Sequence, residues 1–203
     1  MSHRVLLYVQ HLLGIGHVKR SALLARGLVA AELEVDVVSG GMAVPNLDLG
    51  GATLFQLPPV RSGKAGFFDL VDAHGNAVDD AWKARRADIL LDYVKQRRPD
   101  AIVIELFPFG RTQMAFELIP MLDAAIARQP RPRIISSVRD ILQTGRKERR
   151  IVEAVARVHA YFDDILVHGD PALARFEETF PKSADIAEKL HYTGLIAEGL
   201  DGS

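Results

Sequence analysis

The sequence contains no cysteine. Disulfides, thiolate metal sites and a cysteine nucleophile are therefore excluded, and the composition suits a reducing compartment. An excess of one charge is also lacking: 25 Lys and Arg against 26 Asp and Glu leave a formal net charge of −1, so no global field recruits nucleic acid. No apolar run approaches the roughly 18 residues that a membrane span needs. Gln10 and His11 interrupt the apolar start and no small-residue cleavage site follows, which reads as a first buried strand rather than a signal peptide. A cytoplasmic protein is the default expectation. There is no internal repeat and no low-complexity tract. What the chain does have is an ordinary globular mixture, 48% apolar and 25% charged, over 203 residues. That length can bury a sizeable core, and it suits one large domain or one lobe of a two-lobed protein, taken here as a single unit over 1–203.

Apolar runs at 5–9, 34–38, 53–57, 101–106, 133–138, 164–167 and 190–193 read as strands. Most are continuous rather than alternating, as expected where a parallel sheet is covered on both faces. Between the first two, Val18, Ala22, Ala25 and Val29 recur at helical spacing, with Leu24 and Leu28 widening the stripe and Lys19 and Arg26 pointing away. A second helix is capped by Asp79 or Asp80, turns Trp82, Ile89, Leu90 and Val94 inward, and ends before Pro99. A third spans about 112–127, with Pro120 expected to kink or break it. Further helices are predicted over about 147–162 and over 171–180, the latter opening on a proline favoured in a first turn.

Strands alternating with helices through short loops predict an α/β, doubly wound, mostly parallel seven-stranded sheet of Rossmann-like type. The expected order is 3-2-1-4-5-6 with strand seven extending it, which opens a crevice between the carboxyl ends of strands one and four. One connection is out of scale. Residues 58–78 form a link of about twenty residues holding Gly63, Gly66 and Gly75, and such loops are either functional or disordered excursions.

The first strand runs into Gln10-His11-Leu12-Leu13-Gly14-Ile15-Gly16-His17, a glycine turn at a helix start, where bare N–H groups can hold an anion or a polar oxygen. A dinucleotide fingerprint would need glycine at Lys19 and a carboxylate where Ser39-Gly40-Gly41 stands, so the turn opens on something other than NAD. His17 is a candidate base, or else it caps or packs. The segment Glu105-Leu106-Phe107-Pro108-Phe109-Gly110-Arg111 ends the fourth strand with an acid, two aromatics and an arginine. Aromatic faces suit sugar rings or bases, and a guanidinium suits phosphate or carboxylate; the plainer reading is a Glu105–Arg111 ion pair. Arg139 and Asp140 end the fifth strand at the same edge, as a polar cluster with Glu105 or as a local ion pair. His168-Gly169-Asp170 is a fourth such edge, with Asp170 an ordinary helix cap.

The run Arg146-Lys147-Glu148-Arg149-Arg150 and the group Lys83, Arg85 and Arg86 read as solvated faces. The sharper alternative is docking to an anionic membrane leaflet, where each basic residue near the surface adds on the order of 1 kcal/mol. No aromatic residues interleave the run as in a single-strand nucleic-acid groove. The seven histidines are scattered without ligand spacing, so no metal site is expected.

Taken together, Tyr8-Val9-Gln10-His11 through His17, Val38-Ser39-Gly40-Gly41-Met42, Glu105 to Arg111 and Ser137 to Leu142 resemble the N-terminal lobe of GT-B glycosyltransferases, most nearly predicted family 28-like enzymes. The similarity runs over nearly all of the chain. It implies an acceptor-binding half of an inverting, nucleotide-sugar-dependent transferase, with the nucleotide sugar as co-substrate, no bound cofactor, and a sugar or lipid-linked acceptor. By resemblance His17 is a candidate base, and Gly14, Gly16 and the Gly40-Gly41 turn bind phosphate or acceptor. Glu105, Arg111, Arg139 and Asp140 are cleft candidates from their strand-end positions, Glu105 in a catalytic role. Family 28 includes the bacterial N-acetylglucosaminyltransferase that makes the lipid-linked peptidoglycan precursor, and the turn here is less glycine-rich than in that enzyme. The sequence ends at Gly202-Ser203, just after the seventh predicted strand, so the donor-binding lobe is expected from a longer chain or a separate subunit. The chain alone is then expected to be inactive. Two other classes stay open: a non-catalytic small-molecule or partner-binding module, and a lobe of a nucleotide-sugar epimerase.

Overall fold

The seven apolar runs pair side by side in one parallel sheet. A computed structural model of the chain describes residues 2–197 except 65, 67, 68, 143, 144 and 146. The strands are β1 (Arg4–Val9), β2 (Glu34–Ser39), β3 (Thr53–Gln56), β4 (Ala101–Glu105), β5 (Arg133–Arg139), β6 (Asp164–His168) and β7 (Leu190–Tyr192). Their order is β3-β2-β1-β4-β5-β6-β7, the expected winding, and every neighbouring pair is parallel. The chain reverses direction between β1 and β4, where Tyr8 lies opposite Ile104. Their carboxyl ends form the switch-point crevice.

Helix α1 (Gly16–Ala30) covers one face of the sheet, packing Val18, Ala22 and Ala25 on Val5, Leu7, Val9, Val35 and Val37. The other residues of β1, Leu6 and Tyr8, point oppositely. They join Leu90 and Val94 of α2 (Asp80–Arg97) and Leu118, Met121 and Leu122 of α3 (Ala115–Ile126). Period-two alternation within a wholly apolar strand thus supplies two cores at once. Helix α4 (Glu148–Tyr161) closes the β5–β6 half with Ala154 and Val158.

Several expectations are corrected. Asp79 is the cap of α2, its carboxylate accepting the Trp82 amide at 2.7 Å, but Ile89 is 38% exposed rather than inward. Pro120 does not break α3, because Leu118, Met121, Leu122 and Ala125 around it are all buried; a short 3₁₀ turn, Thr112–Met114, precedes the helix. The helix expected over 171–180 does not form. Asp170 instead closes a single turn through the Ala172 and Ala174 amides, and a 3₁₀ turn at Phe176–Glu178 follows. That path lets Phe176 and Phe180 both meet the Phe109 ring edge-on, at centroid distances of 5.2 and 5.0 Å.

The connection over 58–78 is ordered where it is described. Arg61–Ser62 pairs antiparallel with Leu70–Val71, and Leu57, Val60 and Leu70 enter the main core. The Ser62 amide donates to the Leu12 carbonyl at 3.1 Å and the Val60 amide to the Gly40 carbonyl at 3.1 Å, which ties this hairpin to the carboxyl edge of the sheet. Arg86 is the clearest misreading. It is fully buried and ion-paired to buried Glu117, whereas Arg85 is exposed. Arg149 and Arg150 are exposed as expected, and Arg146 lies outside the described residues.

Candidate functional site

Strand β1 delivers Gln10 and His11 to the crevice, and the chain then turns through Gly14 and Gly16 into α1. A Cβ on either glycine would meet nothing within 4 Å, so this turn faces open space. His17 and Arg20 are one helical turn apart and therefore share a face. Both reach Glu105 at the end of β4. His17 Nδ1 lies 3.0 Å from Glu105 Oε1, and Arg20 Nη2 donates to the same oxygen. The second carboxylate oxygen, Oε2, accepts from the Ser137 hydroxyl at 2.9 Å. Ser137 sits directly across from Glu105 in the β4–β5 register, which is why two residues 32 apart meet.

Glu105 is 2% exposed, and burial alone would push its carboxyl up. The His17 hydrogen bond, the Arg20 charge and the Ser137 hydroxyl outweigh that and hold it below the usual carboxylate range. A buried, ionised carboxylate can only accept hydrogen bonds. It therefore takes the proton-bearing nitrogen of His17 at Nδ1, which leaves Nε2 as the basic position. Ser137 Oγ in turn lies 2.8 Å from His168 Nε2, and His168 Nδ1 lies 2.8 Å from Thr193 Oγ1. Burial lowers His168 to about 4, against a smaller upward pull from Glu105, so that imidazole is neutral.

The other expected residues have different surroundings. Gly40 and Gly41 are tightly packed. A Cβ on Gly40 would lie 2.1 Å from Gln10 Oε1 and 2.4 Å from Arg86 Nη2, and one on Gly41 would lie 2.4 Å from the His11 ring. Only glycine fits where β2 ends against the β1 turn. Arg111, in left-handed backbone with φ 56, donates Nε to the Gln10 carbonyl at 2.8 Å. Burial lowers its guanidinium from the usual range, partly offset by Glu105. Arg139 is exposed at the end of β5, in register with His168. Asp140 accepts the Ile141 amide at 2.8 Å and packs against Gly169, so its described contacts lie outside the Glu105 cluster. Sequence reasoning brought His17 and Glu105 to the same crevice and put Ser137 and His168 at neighbouring strand ends without a role; it missed Arg20 and Thr193. The available signal was the helical spacing of His17 and Arg20 and the polar residues at neighbouring strand ends.

Below the site, Arg86 holds the loops in place. Its guanidinium donates to Gln10 Oε1 at 2.8 Å, to the Gly40 carbonyl at 2.9 Å, to the Pro58 carbonyl and to Glu117. Glu117 also accepts from the Tyr8 hydroxyl. Beside the glycine turn, a cavity of about 130 Å³ is lined by His11, Leu12, Leu13, Ile15, Met42 and Arg61, among others. Among the described residues, no group of three or more His, Asp or Glu side chains could hold a metal ion, and no helix is long and apolar enough to cross a membrane.

No family model and no curated protein matches this sequence. Solved structures do match in fold. The chain is similar to MurG of Acinetobacter baumannii at 12% identity and a TM-score of 0.50, covering 83% of this chain and 42% of that one. It is similar to UGT2 of Phytolacca americana, complexed with UDP-2-fluoroglucose and pterostilbene, at 14% identity and a TM-score of 0.54, covering 99% of this chain and 55% of that one. For CalG4, the calicheamicin glycosyltransferase, the values are 14%, 0.52, 100% and 55%. The fold is that of a GT-B glycosyltransferase lobe. The chain spans about half the length of these solved structures. In this GT-B lobe, the His17–Glu105 pair stands at the carboxyl edge of the sheet, beside the open glycine turn.

Proposed function

We propose that this chain is the acceptor-binding half of an inverting, nucleotide-sugar-dependent glycosyltransferase, with His17 as its general base. The observation that carries this reading is the buried, ionised Glu105 on His17 Nδ1 at the mouth of the switch-point crevice. The acceptor hydroxyl gives its proton to His17 Nε2 while its oxygen attacks the anomeric carbon. The bond from that carbon to the diphosphate breaks, and the nucleoside diphosphate leaves with the electron pair. Glu105 stabilises the imidazolium that forms and keeps the ring in one tautomer, and Arg20 holds the carboxylate ionised throughout. The open turn at Gly14 and Gly16, with Arg111 behind it, forms the acceptor side; Gly40 and Gly41 shape it through packing.

The donor's leaving group is met by a donor-binding lobe, from the same longer chain or a partner subunit, so this half alone is inactive. The acceptor is a sugar or a lipid-linked molecule, the latter met at a membrane surface. The test is sugar transfer by this chain joined to a donor-binding lobe. His17→Ala is expected to lower kcat by about 10²- to 10⁴-fold, the usual contribution of a positioned base. Transfer at the unaltered rate would remove the assignment.

A further inference from the structure

The polar groups behind Glu105 run beyond what a base and its carboxylate need. Glu105 Oε2, Ser137 Oγ, His168 and Thr193 Oγ1 follow one another at 2.9, 2.8 and 2.8 Å, from β4 across β5 and β6 to the residue after β7. Glu105, Ser137 and His168 are buried, at 2%, 2% and 5% exposure. Resting on the reading of His17 as base, we propose that Ser137 and His168 are positioning residues, forming one directed hydrogen-bond chain from Thr193 to Glu105 that selects the tautomer of His17.

Two arrangements of the chain are possible, because serine has one proton and a neutral imidazole has one. In the first, Thr193 donates to His168 Nδ1, His168 Nε2–H donates to Ser137, and Ser137 donates to Glu105. In the second, His168 carries its proton on Nδ1 and donates to Thr193, whose hydroxyl turns to the Gly194 carbonyl at 3.2 Å or the Val167 carbonyl at 3.4 Å. Ser137 then donates to the bare His168 Nε2, and Glu105 Oε2 loses its donor. A buried carboxylate oxygen without a donor costs more than a neutral hydroxyl turned from one acceptor to another, because hydrogen bonds to charged groups are roughly twice as strong as neutral ones. Glu105 therefore selects the first arrangement. With Oε2 committed to Ser137 and Oε1 shared with Arg20, the carboxylate keeps one orientation, and Oε1 stays on His17 Nδ1–H. His168 acts in this through Ser137, without touching the acceptor.

The experiment is tautomer assignment by ¹⁵N-detected NMR of the histidines in the chain itself. In the unaltered protein His168 is expected as the Nε2–H form and His17 as the Nδ1–H form; His168 found with its proton on Nδ1 would overturn the chain. In Ser137→Ala and in His168→Leu, His17 is expected to lose its single tautomer and show a mixture, while His168→Gln, which keeps an amide donor toward Ser137, restores the Nδ1–H form. If both disrupting variants fold and leave His17 purely Nδ1–H, Ser137 and His168 are not positioning residues, although the His17–Glu105 pair stands. Glu105→Leu, which removes the acceptor on His17 Nδ1, is the separate control: an unchanged single His17 tautomer there would show that Glu105 does not hold the ring and would sink the base reading itself.

Discussion

Single residues in this lobe divide by whether their partners are near in sequence. Arg86 lies in a run with Lys83 and Arg85 that looks solvent-facing, yet its partner Glu117 is 31 residues away on another helix. Nothing local signals that burial. The pair has the features of a buried charge that is costly to break. Removing the guanidinium leaves the buried Glu117 carboxylate without its counter-charge, leaves the Pro58 carbonyl and Gln10 Oε1 without a donor, and leaves the Gly40 carbonyl with the Val60 amide alone. Arg86→Met is expected to destabilise the chain by about 3–5 kcal/mol, read from urea unfolding, which is a large part of the ~5–15 kcal/mol that holds a typical domain. Arg86→Met with Glu117→Met should recover only part of that, the rest belonging to the unpaired Pro58 carbonyl and Gln10 Oε1; full loss in the double variant would show that the charge itself is not the issue. His17 and Glu105 were legible because each ends or follows a strand at one edge. Ser137 and His168 were legible only as residues near strand ends, because their meeting depends on inter-strand register, which a single sequence does not display.

At the level of elements, every strand of the parallel sheet was legible to within about two residues, since buried parallel strands are short apolar runs bounded by turns. Failures came where packing overrides local preference. The stretch over 171–180 begins with a proline suited to a helix, but Phe176 and Phe180 cluster with each other at 5.5 Å and both against Phe109, and the chain reaches that cluster through extended backbone at Arg175, with φ −106 and ψ 137. Pro120 failed as a breaker for the same reason. Phe176→Ala should cost about 3–5 kcal/mol. Hydrogen exchange should then quicken in the amides of the 3₁₀ turn before it does in β1, and uniform protection throughout would contradict the view that this ring organises the segment. The hairpin at Arg61–Ser62 and Leu70–Val71 was half legible. Its length marked it as unusual, but its hydrogen bonds to Leu12 and Gly40 are made at long range.

For the whole molecule, the neutral buried His168 and the ionised buried Glu105 give stability a definite dependence on pH. His168 is lowered to about 4 in the folded chain, while an unfolded histidine titrates near 6.5. Between those values the unfolded state binds the extra proton, so stability falls as pH drops from about 6.5 to about 4, by on the order of 3 kcal/mol. Glu105, also held low when folded, extends the loss below the ordinary carboxylate range. Unfolding free energy measured from pH 7 to 4 should show this slope, and His168→Gln should flatten its upper part; an equal slope in both proteins would place its origin elsewhere. The open turn has a practical counterpart. Gly14 has room for a side chain, no positive φ to resist one, and no native thiol anywhere in the sequence to compete with it. A single Gly14→Cys change would therefore create a unique attachment point for a fluorophore or spin label at the rim of the crevice, where the arrival of any small molecule or macromolecule could be followed as a signal without chemistry.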